Sequence, residues 1–125
     1  MLTAAFGPYK STILRAYDLK NLITLLDHFH IMSYDIHGSW DGYTSHNAPL
    51  YAPPGDNSVS ECVDYFLSQG VPPYKIVLGV PFYGRTYLLL DPSEQGAALS
   101  STSEKKGFQG PFTKEDGFLG YNEVY

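Results

Sequence analysis

The sequence predicts an α/β fold in which the strands of a parallel sheet alternate with helices. Three features indicate this arrangement: short apolar runs, stripes of apolar residues with helical spacing between them, and glycine or proline where one element ends. The predicted order is strand, helix, strand, helix, strand. That order corresponds to two consecutive crossover units of a parallel sheet.

The first three predicted elements lie in the first third of the chain. Residues 2–6 form an apolar run that Gly7 and Pro8 close. Asp18 is a suitable N-cap for a helix. The apolar residues of that helix recur with helical spacing at Leu19, Leu22, Ile23 and Leu26. The apolar run at residues 29–34 is typical of a parallel strand that is covered on both faces.

Residues 58–69 carry the clearest helix signals in the chain. Ser58 and Glu61 fit a Ser-x-x-Glu capping box, and Gly70 stands where a helix would stop. The apolar stripe of this helix includes Cys62. We therefore expect Cys62 to lie in the core, in preference to acting as a reactive thiol.

The last strand of the predicted sheet is followed by a change in composition. The apolar run at residues 75–82 predicts this strand. From Leu88 onward the chain is rich in glycine, serine and lysine, which indicates a separate insertion with a short helix near residues 113–124. The predicted domains are therefore residues 1–87, an α/β domain, and residues 88–125, a separate insertion.

The composition argues against several classes of function. The 125 residues carry a net charge of −5 and no basic cluster, so we expect no nucleic-acid partner. No stretch approaches the roughly 18 apolar residues of a membrane span, so we expect no membrane partner. The first residues lack the basic region of a signal peptide. The single cysteine excludes an internal disulfide.

Polar side chains follow the ends of two predicted strands. Tyr34 and Asp35 follow one strand, and Tyr83 and Arg85 follow the next. Function in parallel α/β folds sits at the carboxyl ends of strands, so these four residues are candidates for a site. Strand alternation would point Tyr34 and Asp35 to opposite faces. They can share a site only if the strand ends between them and the chain bends, which Gly38 makes easy. A structural role for Asp35, capping the loop, is the alternative.

The connection after Asp35 is roughly twenty residues long, well beyond the usual length of such a loop. It contains Trp40 and several tyrosine, histidine and asparagine residues. Two interpretations remain open: a substrate-binding rim, and a packed surface loop with its own small core. Its position above a strand end favours the rim.

A paired-histidine pattern raises the question of a metal. His28-x-His30 resembles the metal-binding pair of barrel metallohydrolases. In those enzymes the pair lies at the carboxyl end of its strand, whereas here it lies at the beginning. We therefore expect no metal site at this pair, and no sequence pattern indicates a cofactor.

Several segments, in order along the chain, resemble the glycoside hydrolase family 18 chitinases and chitinase-like proteins. Met32-Ser33-Tyr34-Asp35 is similar to the Met-x-Tyr-Asp strand motif of that family. The other similar segments are HGSWD at 37–41, HNAPLY at 46–51, KIVLGVPFYGRT at 75–86, GPFT at 110–113 and GFLGY at 117–121. The resemblance covers nearly the whole chain and is strongest toward arthropod-type animal members.

The resemblance implies a fragment of a TIM (β/α)8 barrel, because the chain has about half of the roughly 250 residues that such a barrel needs. It implies barrel strands five to seven and the beginning of the family's small α+β insertion domain. The family's catalytic acid is a Glu that closes an Asp-x-x-Asp-x-Asp-x-Glu motif on strand four. No Asp of this chain begins that spacing, since Gly38 stands three residues after Asp35 and Thr44 three residues after Asp41.

The family hydrolyses β-1,4-linked N-acetylglucosamine polymers with retention, and the acetamido oxygen of the substrate is the nucleophile. The resemblance implies that Tyr34 hydrogen-bonds the acetamido oxygen and that Asp35 accepts the acetamido N–H or tunes the pKa of the acid. It implies substrate contacts from five further residues. These are Met32 on the barrel floor, Trp40 and Asp41 on the cleft wall, and Tyr83 and Arg85 against sugar hydroxyl or acetyl groups.

Three hypotheses describe the whole protein. The first is a chitinase whose catalytic domain needs the rest of the barrel in the full-length polypeptide, so that this chain alone is inactive. The second is a chitinase-like lectin that binds chito-oligosaccharides without the acid. The third, a genuinely short protein, is disfavoured because open sheet edges would aggregate or pair. The expected ligand is chitin or a chito-oligosaccharide, and the family implies a secreted parent protein.

Overall fold

The computed structural model describes residues 1–91, 93 and 101–124, without the side chain of Glu104. Within these residues the chain forms two compact units, the first within residues 1–36 and 48–80 and the second within residues 37–47 and 81–125. No helix in the described part of the chain is both long and apolar enough to cross a membrane. The predicted domain boundary between residues 87 and 88 stays a prediction.

The first unit is built on a three-stranded parallel sheet. Its strands are β1 (Thr3–Phe6), β2 (His28–Ile31) and β3 (Ile76–Leu78), and β2 is the central strand. Phe6 pairs with Ile31, and Ile31 pairs with Leu78, so all three strands end at the same level. The predicted α/β class is confirmed. The predicted strand ends at residues 34 and 82 are wrong, because pairing stops at Ile31 and Leu78.

Three helices join these strands: α1 (Lys10–Ala16), α2 (Leu19–Leu25) and α3 (Val59–Ser68). The predicted N-caps are confirmed, since Asp18 accepts a hydrogen bond from the Asn21 N–H at 3.3 Å and Ser58 Oγ accepts one from the Glu61 N–H at 3.2 Å. The reciprocal bond of the Ser58–Glu61 capping box, from the Ser58 N–H to the Glu61 side chain, stays a prediction. Gly70 has φ +89° at the end of α3. The sequence did not predict α1 for two reasons. The side chain of its N-cap residue makes no capping hydrogen bond, and a single buried residue among its seven, Ile13, gives no apolar stripe to recognise.

Aromatic rings form the centre of the first unit. The ring centroid of Phe6 lies 5.2 Å from that of Phe29 and 5.5 Å from that of Phe66. Cys62 belongs to this core with 1 % of its surface exposed, which confirms its predicted position. Burial, with a smaller contribution from the charge of Glu61, raises the pKa of the Cys62 thiol to about 12.

In the described part of the second unit, four strands form two antiparallel pairs. Strand β4 (Tyr83–Arg85) pairs with β7 (Phe118–Gly120), and β5 (Tyr87–Leu89) pairs with β6 (Ser103–Lys106). The helix predicted near residues 113–124 is wrong in type and length. That stretch contains β7 and a single 3₁₀ turn at Tyr121–Glu123.

The carboxylate of Glu123 fixes this last stretch of the second unit. Its oxygens accept hydrogen bonds from the N–H groups of Phe112 at 2.7 Å, Thr113 at 3.0 Å and Gly120 at 2.8 Å, and from Thr113 Oγ1 at 2.7 Å. Desolvation acts to raise the pKa of this carboxyl, but these hydrogen bonds together outweigh it and lower the pKa to about 2.

Candidate functional site

The chain leaves strand β2 through tight turns. The Met32 N–H still donates to the carbonyl of Phe6 on β1 at 2.8 Å. The next two N–H groups, of Ser33 and Tyr34, donate at 2.9 Å to the carbonyls two residues before them. Bonds of that span close three-residue turns, which are common where strands end. The Met-Ser-Tyr-Asp segment therefore forms a turn at the carboxyl end of the sheet, beyond the strand that was predicted to contain it.

Two contacts attach this turn to the end of strand β3. Ser33 is buried, and its Oγ donates to the carbonyl of Gly79 at 2.6 Å. The half-buried ring of Tyr34 lies against the backbone of Gly79, where a Cβ atom would be 2.9 Å from ring carbon Cε1. The position of the Tyr34 ring therefore depends on the absence of a side chain at residue 79.

Tyr34 and Asp35 can share a site only if the backbone bends, and the bend occurs at Asp35. Asp35 has φ +55°, in the left-handed region that non-glycine residues rarely adopt. Gly38, where flexibility was expected, has an extended φ of −169°, so the expectation that Gly38 makes the bend is wrong. A strained residue in a polar position at a strand end is typical of functional sites. The half-buried Asp35 is thus a candidate on geometric grounds.

Tyr9 also contacts this backbone segment. Its hydroxyl lies 3.0 Å from the carbonyl oxygen of Asp35 and 3.0 Å from that of Ile36. Sequence reasoning missed Tyr9, because the contact joins residues 26 positions apart and no local pattern indicates it. Gly79 was missed for the same reason.

In the second unit, Arg85 lies among aromatic rings. Its guanidinium carbon is 5.3 Å from the ring centroid of Trp40, 5.4 Å from that of Tyr83 and 5.3 Å from that of Phe118. Tyr83 and Phe118 also stack on each other across the β4–β7 pair, with centroids 4.6 Å apart. We call these four residues the aromatic–arginine cluster. Phe118 is the member that the sequence analysis did not single out.

Asp41 organises the turn that carries Trp40. Asp41 Oδ2 accepts a hydrogen bond from the Gly38 N–H at 3.1 Å and lies 3.1 Å from Nδ1 of the buried His37. The Trp40 indole packs directly over Gly38, so that any side chain on residue 38 would collide with the ring. The indole is nevertheless 53 % exposed. Trp40 therefore stays accessible to solvent although both Gly38 and Arg85 lie against its ring.

The seven predicted site residues therefore fall into two groups. Met32, Tyr34 and Asp35 follow β2 in the first unit. Trp40, Asp41, Tyr83 and Arg85 lie together in the second unit. That the two groups form one site stays a prediction.

The described residues contain no group of three or more histidine, cysteine, aspartate or glutamate side chains able to hold a metal ion. The rings of His28 and His30 have centroids 6.3 Å apart on β2. Both precede the end of that strand at Ile31, and the turn with Tyr34 and Asp35 follows it.

The family model for glycosyl hydrolases family 18 matches residues 1–125. The chain belongs to this family. It is 50% identical over 125 residues to probable chitinase 2 of Drosophila melanogaster, covering 99% of this chain and 25% of that protein. It is 42% identical over 125 residues to the oviduct-specific glycoprotein of Ovis aries, covering 99% of this chain and 23% of that protein.

Solved structures of family 18 proteins have the same fold over almost the whole chain. The Group IV chitinase of Ostrinia furnacalis superposes with a TM-score of 0.90 at 42% identity, covering 98% of this chain and 35% of that one. Human YKL-39 is described as a pseudo-chitinase with retained chitooligosaccharide binding properties. It superposes with a TM-score of 0.91 at 31% identity, covering 99% of this chain and 35% of the YKL-39 chain. This family 18 chain thus spans about a quarter of the length of the curated relatives that it matches and about a third of the solved chains.

Proposed function

We propose that this chain is part of the catalytic domain of a chitinase, which hydrolyses β-1,4-linked N-acetylglucosamine polymers by the substrate-assisted retaining route. In this proposal it supplies strands five to seven of a TIM (β/α)8 barrel and the start of the insertion domain. The observation that carries the proposal is the left-handed turn at Asp35, directly after Tyr34, at the carboxyl end of the central strand β2. Catalytic residues of such barrels lie at that end of the strands.

In the proposed reaction, the acetamido oxygen attacks the anomeric carbon of the same sugar, while the bond from that carbon to the leaving oxygen breaks. The Tyr34 hydroxyl donates a hydrogen bond that aligns the acetamido oxygen. The Asp35 carboxylate accepts the acetamido N–H and stabilises the positive charge that develops on the amide. The leaving oxygen takes its proton from an acid that this chain does not encode. Water then opens the cyclic intermediate with net retention.

The aromatic–arginine cluster supplies the proposed sugar contacts of the second unit. The exposed Trp40 indole offers a flat apolar surface to a pyranose ring. Tyr83 and Arg85 offer a hydroxyl and fixed N–H donors to sugar hydroxyl or acetyl oxygens. A related protein, the Group IV chitinase of Ostrinia furnacalis, has been solved in complex with allosamidin, which supports a ligand-binding cleft in this family.

The second candidate function is a chitinase-like lectin that binds chito-oligosaccharides without cleaving them. The likeness to human YKL-39, a pseudo-chitinase, favours it. The described groups suit either function, because the strand-four motif that would carry the acid is not found in these 125 residues. The upstream coding sequence therefore decides between them: a Glu closing the strand-four motif supports hydrolysis, and Gln or Leu there supports binding alone.

The test uses the full-length polypeptide and the 125-residue chain side by side. Turnover is measured with a fluorogenic chitobioside and binding with chitotetraose by titration calorimetry. Turnover and binding by the full-length protein support the chitinase, and binding without turnover supports the lectin. Absence of both overturns the two functions together. Turnover by the 125-residue chain alone would contradict the proposal that the acid lies elsewhere. Secretion of the full-length protein, part of the same proposal, is tested by its recovery from the culture medium.

A further inference from the structure

We propose that Tyr9 is a positioning residue for Asp35: its hydroxyl fixes the backbone of Asp35 and thereby aims the Asp35 carboxylate at the ligand. This inference rests on the proposed function, because it assigns the partner that orients one of the proposed catalytic residues. Tyr9 lies in the loop after β1, and Asp35 lies in the turn after the neighbouring strand β2.

The contact itself is direct. The Tyr9 hydroxyl lies 3.0 Å from the carbonyl oxygens of both Asp35 and Ile36, in a partly buried position. A hydroxyl has one hydrogen, so the two carbonyls share it. The contact therefore fixes the peptide group on the carboxyl side of Asp35.

Tyr9 is itself held rigidly. It is the N-cap residue of α1, and its carbonyl accepts hydrogen bonds from the N–H groups of Thr12 and Ile13, each at 3.0 Å. Ile13 is fully buried in the core. The backbone from which the Tyr9 ring projects is thus anchored to the sheet through α1.

The backbone of Asp35 requires such support. A φ of +55° is unfavourable for a residue with a side chain, and glycine would adopt it more easily. Aspartate and asparagine tolerate this conformation better than most residues with a side chain, and contacts from the surrounding structure stabilise it further. Ser33 is fixed by its bond to Gly79, and Asp35 by its contact with Tyr9. Tyr34 lies between these two attachments.

The test is Tyr9→Phe in the full-length protein, which removes the hydroxyl and keeps the ring. Titration calorimetry with chitotetraose separates two effects: the dissociation constant reports each intact site, and the stoichiometry reports the fraction of intact sites. A positioning role predicts a dissociation constant about three- to tenfold higher with unchanged stoichiometry, the size expected for one lost hydrogen bond. A lower stoichiometry with an unchanged dissociation constant would show a merely structural role and overturn the proposal.

The matched control is Tyr17→Phe, since Tyr17 terminates the same helix, is 40% exposed, and makes a T-shaped ring contact with Phe6. We expect this variant to leave binding unchanged.

A double variant identifies Asp35 as the residue through which Tyr9 acts. Asparagine tolerates the left-handed region, so Asp35→Asn removes the charge and preserves the backbone. In that background we expect Tyr9→Phe to change the dissociation constant by less than about twofold, because coupled residues are not additive. Full additivity, or an unchanged constant in Tyr9→Phe alone, overturns this inference and leaves the proposed function standing. Absence of binding by the unmutated protein overturns both.

Discussion

The ring of Tyr34 rests on the backbone of Gly79, which follows the end of strand β3. A Cβ atom on residue 79 would lie 2.9 Å from Cε1 of Tyr34 and 2.8 Å from the carbonyl oxygen of Ile31. Both distances are shorter than ordinary carbon contacts, so the smallest side chain would displace the ring or the strand. The neighbouring strand thus determines where the proposed acetamido-orienting hydroxyl can lie.

The first prediction concerns Gly79→Ala. We expect this variant to lose about 1–3 kcal/mol of unfolding free energy, the usual cost of overpacking a tight contact. We also expect weaker chitotetraose binding, because Tyr34 is displaced. Urea denaturation and titration calorimetry of the full-length protein measure the two effects. Gly7→Ala is the control, since a Cβ at Gly7 would meet no atom within 4 Å. Equal stability of both variants would contradict the steric argument.

The second prediction concerns the contact between Arg85 and Trp40. Trp40 is the single tryptophan of the chain, so the intrinsic fluorescence of the 125-residue chain reports on this contact directly. Lysine lacks the planar guanidinium that stacks on rings. We therefore expect Arg85→Lys to cost about 0.5–1 kcal/mol, to shift the emission to longer wavelength and to increase quenching by acrylamide. Arg15→Lys, in the first unit, is the control. An unchanged Trp40 spectrum in Arg85→Lys would count against the contact.

The third prediction concerns pH and Glu123. The ionised carboxylate accepts the hydrogen bonds, so its pKa falls from 4.5 to about 2 in the folded chain. A depressed pKa means that the stabilisation is complete above about pH 4.5 and is lost as the pH falls toward 2. We expect the amides of Phe112, Thr113 and Gly120 to lose protection from hydrogen exchange over that range.

Glu123→Gln should show the same loss of protection at pH 7, because a neutral amide is a weaker acceptor than a carboxylate. Mass spectrometry of the peptides that span residues 110–124 measures the protection. Glu115→Gln changes an exposed carboxylate of the same segment and is the control. Protection that persists in Glu123→Gln would show that other contacts fix this stretch.

The fourth prediction concerns the reactivity of Cys62. With a pKa near 12 in place of 9, the thiolate population at pH 8 is lower by roughly a thousandfold, and the thiolate is the reactive form. We expect iodoacetamide to leave Cys62 unmodified in the native protein and to modify it fully in urea. Peptide mass spectrometry measures both. Fast labelling under native conditions would show that α3 opens readily.

Part of this fold follows from patterns within a few residues of each other. Asp18 and Ser58 accept hydrogen bonds from N–H groups three residues ahead, so their sequence context alone predicts the starts of α2 and α3. The position of Cys62 in the core follows from the spacing of its apolar neighbours. Likewise, the segment around Tyr34 and Asp35 and the other quoted segments, taken in order along the chain, together indicate a family.

Other features depend on residues that are distant in sequence. Strand β2 ends at Ile31, because pairing with β1 and β3 ends there. The sequence could not show this end, since the apolar run that predicted the strand continues to Tyr34. The left-handed Asp35 is supported from Tyr9, 26 residues away, and the turn before it from Gly79, 46 residues beyond Ser33. Sequence alone therefore determined which residues are chemically suited to the site. Tertiary structure alone decided their backbone conformation, because the hydrogen-bond partners of this turn, Tyr9 and Gly79, lie beyond the ends of the two neighbouring strands and far away in sequence.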